Sequence, residues 1–190
     1  MDNRMVTIGI TGTIGAGKGT IVDFLVKEKG FKHFSSRAFL LQELDRRGLE
    51  HIRDNISMVG DDLRKKHFPG YIISELLKQA QAYGGDAIIE SIRSMGEVEV
   101  LRNSETPFYL FAIDADLKTR FERIKERNLS TDHVSFQKFI EDENKEMDRK
   151  EVWQMNIKAC MATADFVFEN NASLEELHAK VEATLKQILH

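Results

Sequence analysis

Short apolar runs alternate with longer amphipathic stretches along this 190-residue chain. Runs at 5–11, 31–34, 86–90, 108–113 and 165–168 have the length and the β-branched or aromatic content of buried strands. Strands separated by helices predict a parallel sheet, because each crossover helix must pack on one face of it. We therefore expect a three-layer α/β fold with about five parallel strands and helices on both faces.

Helical periodicity fills the intervals between these runs. The stretch 36–83 is predicted to be helical throughout, with a break at 67–70 before its clearest apolar stripe. The C-terminal stretch places Leu174, Leu177 and Val181 three and four residues apart, as in an amphipathic helix. The remaining helices are predicted at 18–29, 95–103, 116–127 and 135–162.

Composition narrows the class of protein. With two prolines and no low-complexity tract, no linker is marked, so residues 1–190 are predicted to form a single domain. The net charge of −4 argues against nucleic acid as a partner, because general affinity for it requires a basic surface. No apolar run approaches the ~20 residues of a membrane helix. We expect a cytoplasmic protein without nucleic-acid or membrane partners.

A glycine-rich segment, GTIGAGKGT at 12–20, follows the first predicted strand and is called the P-loop below. It has the spacing of a glycine, four residues and then Gly-Lys. Glycines let the backbone turn its N–H groups toward an anion, and the helix that follows adds its positive N-terminal end. Lys18 supplies a mobile charge for the outer phosphates and is a predicted catalytic residue. The residues expected to bind ATP here are Gly12, Thr13, Gly15, Ala16, Gly17, Lys18, Gly19 and Thr20.

The order Gly17-Lys18-Gly19-Thr20 resembles the P-loop of adenylate kinases and other nucleoside monophosphate kinases. Many P-loops carry Ser or Thr directly after the lysine, and its hydroxyl ligates Mg²⁺; here Gly19 stands at that position. The resemblance implies that Thr20 contacts a phosphate and that Mg²⁺ is held largely through water and acidic residues. It also implies a P-loop kinase fold with a small helical lid, and ATP and Mg²⁺ as cofactors.

Glu90 ends the third predicted strand and Arg93 follows it in a loop. A carboxylate at such a strand end faces the metal across the nucleotide, so Glu90 is predicted to hold Mg²⁺ through water. Arg93 is predicted to reach the transferred phosphoryl group as a catalytic residue. The segment Glu90-Ser91-Ile92-Arg93 resembles one found in small archaeal and bacterial P-loop kinases. A simple ion pair between Glu90 and Arg93 is the alternative.

Arg120, Arg123 and Arg127 lie three and four residues apart, on one face of a predicted helix. The segment 118–127 resembles a helix of the same kinase group, whose lid arginines clamp the triphosphate. The resemblance implies that Arg120 binds ATP, that Arg123 and Arg127 are catalytic, and that a lid spans about 127–150. Charges that contact only water are the alternative.

The segment 164–177 resembles the closing strand, loop and helix of dephospho-CoA kinases and phage-type deoxynucleoside monophosphate kinases. The resemblance places Asn171 against the base of ATP. Ser173 followed by Glu176 also has the spacing of a helix capping box, and the two interpretations are compatible.

Two classes of acceptor follow from these resemblances. A nucleoside monophosphate kinase transfers onto a phosphate and needs cations, whereas a dephospho-CoA kinase transfers onto a ribose hydroxyl and gains from a general base. Dephospho-CoA kinases usually carry Asp-Ala-Asp near the second strand, where this chain has Phe-Ser-Ser-Arg at 34–37. We therefore favour a (deoxy)nucleoside monophosphate as the small nucleotide partner, bound through the region 36–83. The predicted acceptor-binding residues are Arg37, Arg53, Arg64 and Arg93.

A third class of function is also open. The P-loop could serve an ATP-dependent regulatory or assembly factor as a switch. The chain has no Asn-Lys-x-Asp guanine signature, which disfavours a GTPase switch.

Overall fold

The computed structural model describes residues 5–129 and 133–189, over which the chain forms five strands and nine helices. The strands pair in parallel in the order β2-β3-β1-β4-β5, with β1 at the centre. This confirms the predicted α/β class with a five-stranded parallel sheet. The strands are β1 (Thr7–Gly12), β2 (Lys32–Ser35), β3 (Ala87–Glu90), β4 (Phe108–Asp114) and β5 (Phe166–Glu169).

The helices connect these strands and cover both faces of the sheet. Residues 130–132, which fall in the predicted lid, lie outside the described residues. The helices are α1 (Lys18–Lys29), α2 (Ser36–Arg47), α3 (Arg53–Lys66), α4 (Tyr71–Tyr83), α5 (Met95–Arg102), α6 (Leu117–Arg127), α7 (Phe136–Met147), α8 (Ile157–Ala162) and α9 (Leu174–Ile188).

Two helical stretches are more divided than the sequence pattern predicts. The stretch 36–83 forms three helices, because Gly48 adopts a left-handed φ of 66° that ends α2, in addition to the predicted break before α4. The stretch 135–162 is interrupted between α7 and α8. There the Asn156 backbone N–H donates to the Arg93 carbonyl at 2.7 Å, and its side chain accepts from the backbone N–H of Ala159.

Each face of the sheet buries its own apolar cluster. On one side, Ile8 and Ile10 of β1 pack with residues of α1 and α9 such as Leu25 and Val181. On the other side, Ile89 of β3 packs with residues of α4, α5 and α8. Because β1 is buried along its whole length, its carboxyl end is held firmly at the centre of the sheet edge. Ligands of such sheets bind at that edge.

Candidate functional site

The P-loop turns from the end of β1 into α1 through three glycines with positive φ. Gly12, Gly15 and Gly17 have φ values of 137°, 78° and 100°, which side chains disfavour. A Cβ on Gly12 would lie 2.0 Å from the Ile113 carbonyl oxygen, and one on Gly15 would lie 2.5 Å from that of Arg120. The glycines are therefore required by conformation and by space.

Lys18 bends back over this loop. Its Nζ donates to the carbonyl oxygens of Gly12 at 2.9 Å and Thr13 at 2.7 Å. Burial, reinforced by the nearby charge of Arg93, lowers the pKa of Lys18 from its ordinary value to about 7. A phosphate bound in the loop would act in the opposite direction, because an adjacent anion favours the ammonium form.

The ends of β4 and β5 fasten the P-loop from the neighbouring side. Thr13 Oγ1 donates to Asp114 Oδ1 at 2.6 Å, and Asn170 Nδ2 donates to the Ala16 carbonyl at 2.8 Å. A Cβ on Gly17 would lie 2.3 Å from Asn170 Nδ2, so this amide fills the space that the glycine leaves. Neither Asp114 nor Asn170 was among the predicted site residues, although Asp114 ends β4 and Asn170 directly follows β5.

Asn171, predicted to face the base of ATP, accepts a hydrogen bond from the Asp116 backbone N–H at 2.8 Å. The bond ties the loop after β5 to the start of α6. The side chain of Ser173 accepts a hydrogen bond from the backbone N–H of Glu176 at 3.3 Å. Ser173 is therefore the N-cap of α9, and this contact is one of the two hydrogen bonds of the predicted capping box.

Glu90 ends β3 across the cavity from the P-loop. His33 Nε2 lies 3.3 Å from Glu90 Oε2, and Ser91 Oγ donates to Glu90 Oε1 at 3.0 Å. Burial acts to raise the pKa of Glu90, but the contacts with His33 and Ser91 and the charge of Lys18 outweigh it and hold the pKa below its usual value. Ser91 has a φ of 67°, a strained conformation of the kind that concentrates at functional sites.

A cavity of about 530 Å³ opens at this edge of the sheet. Its wall combines the P-loop with the ends of β3 and of helices α2, α3 and α6. Among the described lining residues, six side chains are cationic and one is a carboxylate, although the whole chain carries a net charge of −4. The charged lining residues are Lys18, Arg37, Arg53, Glu90, Arg93, Arg123 and Arg127.

Arg93 is held in the loop after β3 by contacts on several sides. Its backbone N–H donates to Glu97 Oε2 at 2.7 Å, and its guanidinium donates to the carboxylate of Glu146 on α7. Arg53 Nη1 lies 3.6 Å from the same carboxylate. On α6, Arg123 Nη1 is buried without a hydrogen-bond partner among the described residues, which suits a site for an added anion.

Arg64 and Arg120, predicted to bind the acceptor and ATP, both lie in buried ion pairs. Arg64 is 2% exposed, and its Nε donates to Glu97 Oε1 at 2.8 Å. Arg120 is 5% exposed; it donates to the Ile14 carbonyl at 3.2 Å and to Glu143 of α7. These guanidinium groups are buried and already paired, and neither lines the main cavity. Arg64 ties α3 to α5, and Arg120 ties the P-loop to α7.

No group of three or more His, Cys, Asp or Glu side chains is placed to hold a metal ion by itself, within residues 5–129 and 133–189. Gly19 supplies no hydroxyl to a metal ion. Among the described residues that line the cavity, Glu90 supplies the carboxylate. The same part of the chain contains no helix long and apolar enough to span a membrane.

Comparison with known proteins shows the family of this chain. A family model described as an AAA domain matches residues 8–154. A UPF0200 protein of Methanococcus vannielii is 32% identical over 188 residues, which cover 97% of both chains. The chain belongs to this AAA domain family and to the UPF0200 proteins.

Solved structures show the fold alone. The TT1252 protein of Thermus thermophilus aligns with a TM-score of 0.63 at 20% identity, covering 97% of this chain and 98% of that chain. Shikimate kinase of Aquifex aeolicus aligns with a TM-score of 0.54 at 15% identity, covering 95% and 96%. The predicted P-loop kinase-like fold is confirmed. The finer assignment to nucleoside monophosphate or dephospho-CoA kinases stays a prediction.

Replacing Asn170 by Ala should weaken nucleotide binding, because the Ala16 carbonyl would lose its buried donor. We expect a loss of about 1–3 kcal/mol in the free energy of unfolding, and a larger loss when ATP is present. Urea unfolding with and without an ATP analogue measures both. The exposed neighbour Asn171→Ala is the matched control. A greater loss of ATP affinity in the Asn171 variant would restore the role that the sequence predicted for it.

Binding of ATP should be accompanied by proton uptake above neutral pH. With a pKa of about 7, Lys18 is mostly neutral at about pH 8 before an anion binds. Bound phosphates raise that pKa, so nearly one proton is taken up at about pH 8, and less as the pH falls through 7. Calorimetry in buffers of different ionisation enthalpy measures this number. The Lys18→Met variant should take up none; equal uptake by that variant would assign the proton elsewhere.

Proposed function

We propose that this protein is an ATP-dependent phosphotransferase that moves the γ-phosphoryl group of ATP to a (deoxy)nucleoside monophosphate. The observation that carries this proposal is the charge of the cavity: five arginines and Lys18 face one lining carboxylate. A single triphosphate would engage the P-loop and α6, whereas Arg37, Arg53 and Arg93 reach the cavity from α2, α3 and the β3–α5 loop. Two anions brought together for transfer require this excess of positive charge.

In this proposal the donor side is formed by the P-loop, α6 and Lys18. Backbone N–H groups and the α1 N-terminus bind the phosphates, and Lys18 neutralises charge that develops on the transferred group. Arg123 and Arg127 approach from α6 and clamp the triphosphate through their forked donors.

Mg²⁺ fits the same site without a dedicated ligand cage. Magnesium usually keeps several waters and takes one or two carboxylates plus phosphate oxygens. Glu90, kept ionised by its neighbours, would hold that shell from the end of β3. The ion, when bound, supplies charge stabilisation across the β- and γ-phosphates.

The acceptor side is formed by the arginines of α2, α3 and the β3–α5 loop. Arg37, Arg53 and Arg93 would hold the acceptor phosphate in line with the γ-phosphate. At 34–37 no aspartate is present; Ser35 caps α2 and Ser36 Oγ donates to the Glu90 carbonyl at 2.7 Å. A phosphate acceptor needs no base there, which is why this class is favoured.

One observation supports a second candidate, transfer onto a hydroxyl as in dephospho-CoA kinases. His33 lies within 3.3 Å of Glu90 beside the cavity, and a histidine oriented by a carboxylate can accept a proton from a hydroxyl. The two candidates differ in their need for this base. The variant His33→Gln should leave transfer to a phosphate nearly unchanged and should abolish an acidic limb in transfer to a hydroxyl.

An ADP-release screen over nucleoside monophosphates, deoxynucleotides and dephospho-CoA tests the proposal. At least one monophosphate should be phosphorylated faster than dephospho-CoA at matched concentration. In the same assay Lys18→Ala should lower kcat by ~10²-fold or more, about 3 kcal/mol of transition-state stabilisation. Lys27→Ala, an exposed change on the same helix, should have no effect. Faster turnover of dephospho-CoA would replace the first candidate by the second.

The metal requirement should depend on Glu90 more than on Thr20. We expect Glu90→Gln to raise the Mg²⁺ concentration for half-maximal activity by about tenfold, because a charged ligand of the hydration shell is lost. Thr20→Val should instead raise the KM for ATP. Magnesium titrations of both variants at saturating ATP measure the two effects, and a larger shift for Thr20→Val would reverse the roles.

A further inference from the structure

Glu146 places a carboxylate between Arg93 and Arg53, two arginines of the proposed acceptor side. It lies in the last turn of α7, is 5% exposed, and accepts a hydrogen bond from Arg93 through Oε2. Its other oxygen, Oε1, lies 3.6 Å from Arg53 Nη1. Arg93 follows β3 and Arg53 opens α3, so one carboxylate joins two segments that are far apart in the chain.

This cluster is open to the cavity. Arg93 and Arg53 are 26% and 22% exposed, and both line the main cavity together with Lys18. With Glu146 they also line a narrow adjoining space of about 40 Å³. An anion that enters the cavity therefore reaches the same guanidinium groups that Glu146 contacts.

A neighbouring ion pair shows what a purely structural carboxylate looks like in this protein. Glu97 is almost fully enclosed; its Oε1 accepts from Arg64, and its Oε2 accepts from the backbone N–H groups of Arg93 and Ser94. Among the described residues, the Glu146 carboxylate makes its ion pairs with Arg93 and Arg53, without such backbone donors. Its position therefore depends on cations that line the cavity.

A phosphoryl group fits these cations better than a carboxylate does. Glu146 offers one oxygen to each arginine, whereas a phosphate monoester offers three non-bridging oxygens and nearly two charges, which suits bidentate guanidinium contacts. A tethered carboxylate also has a high effective concentration, so a free monoanion displaces it poorly. The arrangement therefore selects for a dianion.

We propose that Glu146 is an internal stand-in for the acceptor phosphate: a dianionic phosphoryl group displaces its carboxylate from Arg93 and Arg53, and monoanions are excluded. The identity of that dianion as an acceptor nucleotide rests on the function proposed above. Displacement also frees the end of α7 from Arg93 and Arg53. Binding of a phosphoryl group at these two arginines is therefore coupled to the position of α7.

Calorimetric titration of the full chain with inorganic phosphate tests this inference without any catalytic step. Glu146→Gln should tighten phosphate binding by about tenfold, because the charge that competes for the two arginines is removed. The same variant should bind acetate with a smaller gain. Glu141→Gln, an exposed change on the same helix, is the matched control and should bind phosphate as the parent does.

The P-loop is a second potential binding site for phosphate. The experiment must therefore show that the gain in affinity arises at Arg93 and Arg53. Arg53→Gln provides this: in that background the Glu146→Gln gain should be smaller, because interacting residues are not additive in a double-mutant cycle. Unchanged or weaker phosphate binding in Glu146→Gln, or a gain that is undiminished with Arg53→Gln, would show that Glu146 is only a structural tie and would overturn the inference.

A measurement on the unmodified protein covers the case in which Glu146→Gln fails to fold. Saturating phosphate should speed amide hydrogen exchange at residues 143–147, and acetate should not; slower or unchanged exchange contradicts the displacement. Failure of the proposed function gives a different result. If no nucleotide acceptor supports ADP release while phosphate still displaces Glu146, the phosphate site at Arg93 and Arg53 is supported and the proposed phosphotransfer is rejected.

Discussion

Mutual repulsion among cations is the constraint on which this site depends. Lys18 and five arginines line one cavity, and burial, reinforced by the charge of Arg93, lowers the pKa of Lys18. Carboxylates from separate segments offset the repulsion among these cations: Glu90 from β3 and Glu146 from α7. The fold brings these groups to one sheet edge while the cavity itself stays positive.

Helix α7 connects the two halves of the cavity. Glu143 pairs with Arg120, which also donates to the P-loop carbonyl of Ile14, and Glu146 pairs with Arg93 and Arg53. A spacing of three residues puts both carboxylates on one face of the helix. Phe139 anchors the same helix in an apolar cluster with Ile14, so one helix contacts both the P-loop and the arginines that follow β3 and open α3.

Local patterns predicted much of the fold and the backbone of the site. Buried parallel strands are apolar on both faces, so their runs were visible, and the P-loop glycines were visible from spacing alone. The end of α2 at Gly48 had a local signal, the glycine itself. The start of α8 had a weaker one, the N-cap residue Asn156, whose backbone N–H also bonds to the distant Arg93, a contact that no local pattern shows.

Asn170 completes a loop that begins at Gly12, yet the two residues are separated by most of the chain. The Asn170–Ala16 hydrogen bond joins residues 154 positions apart, so it can form only after much of the intervening chain is ordered. We therefore expect the P-loop to reach its final conformation late in folding, after β1, β4 and β5 have paired.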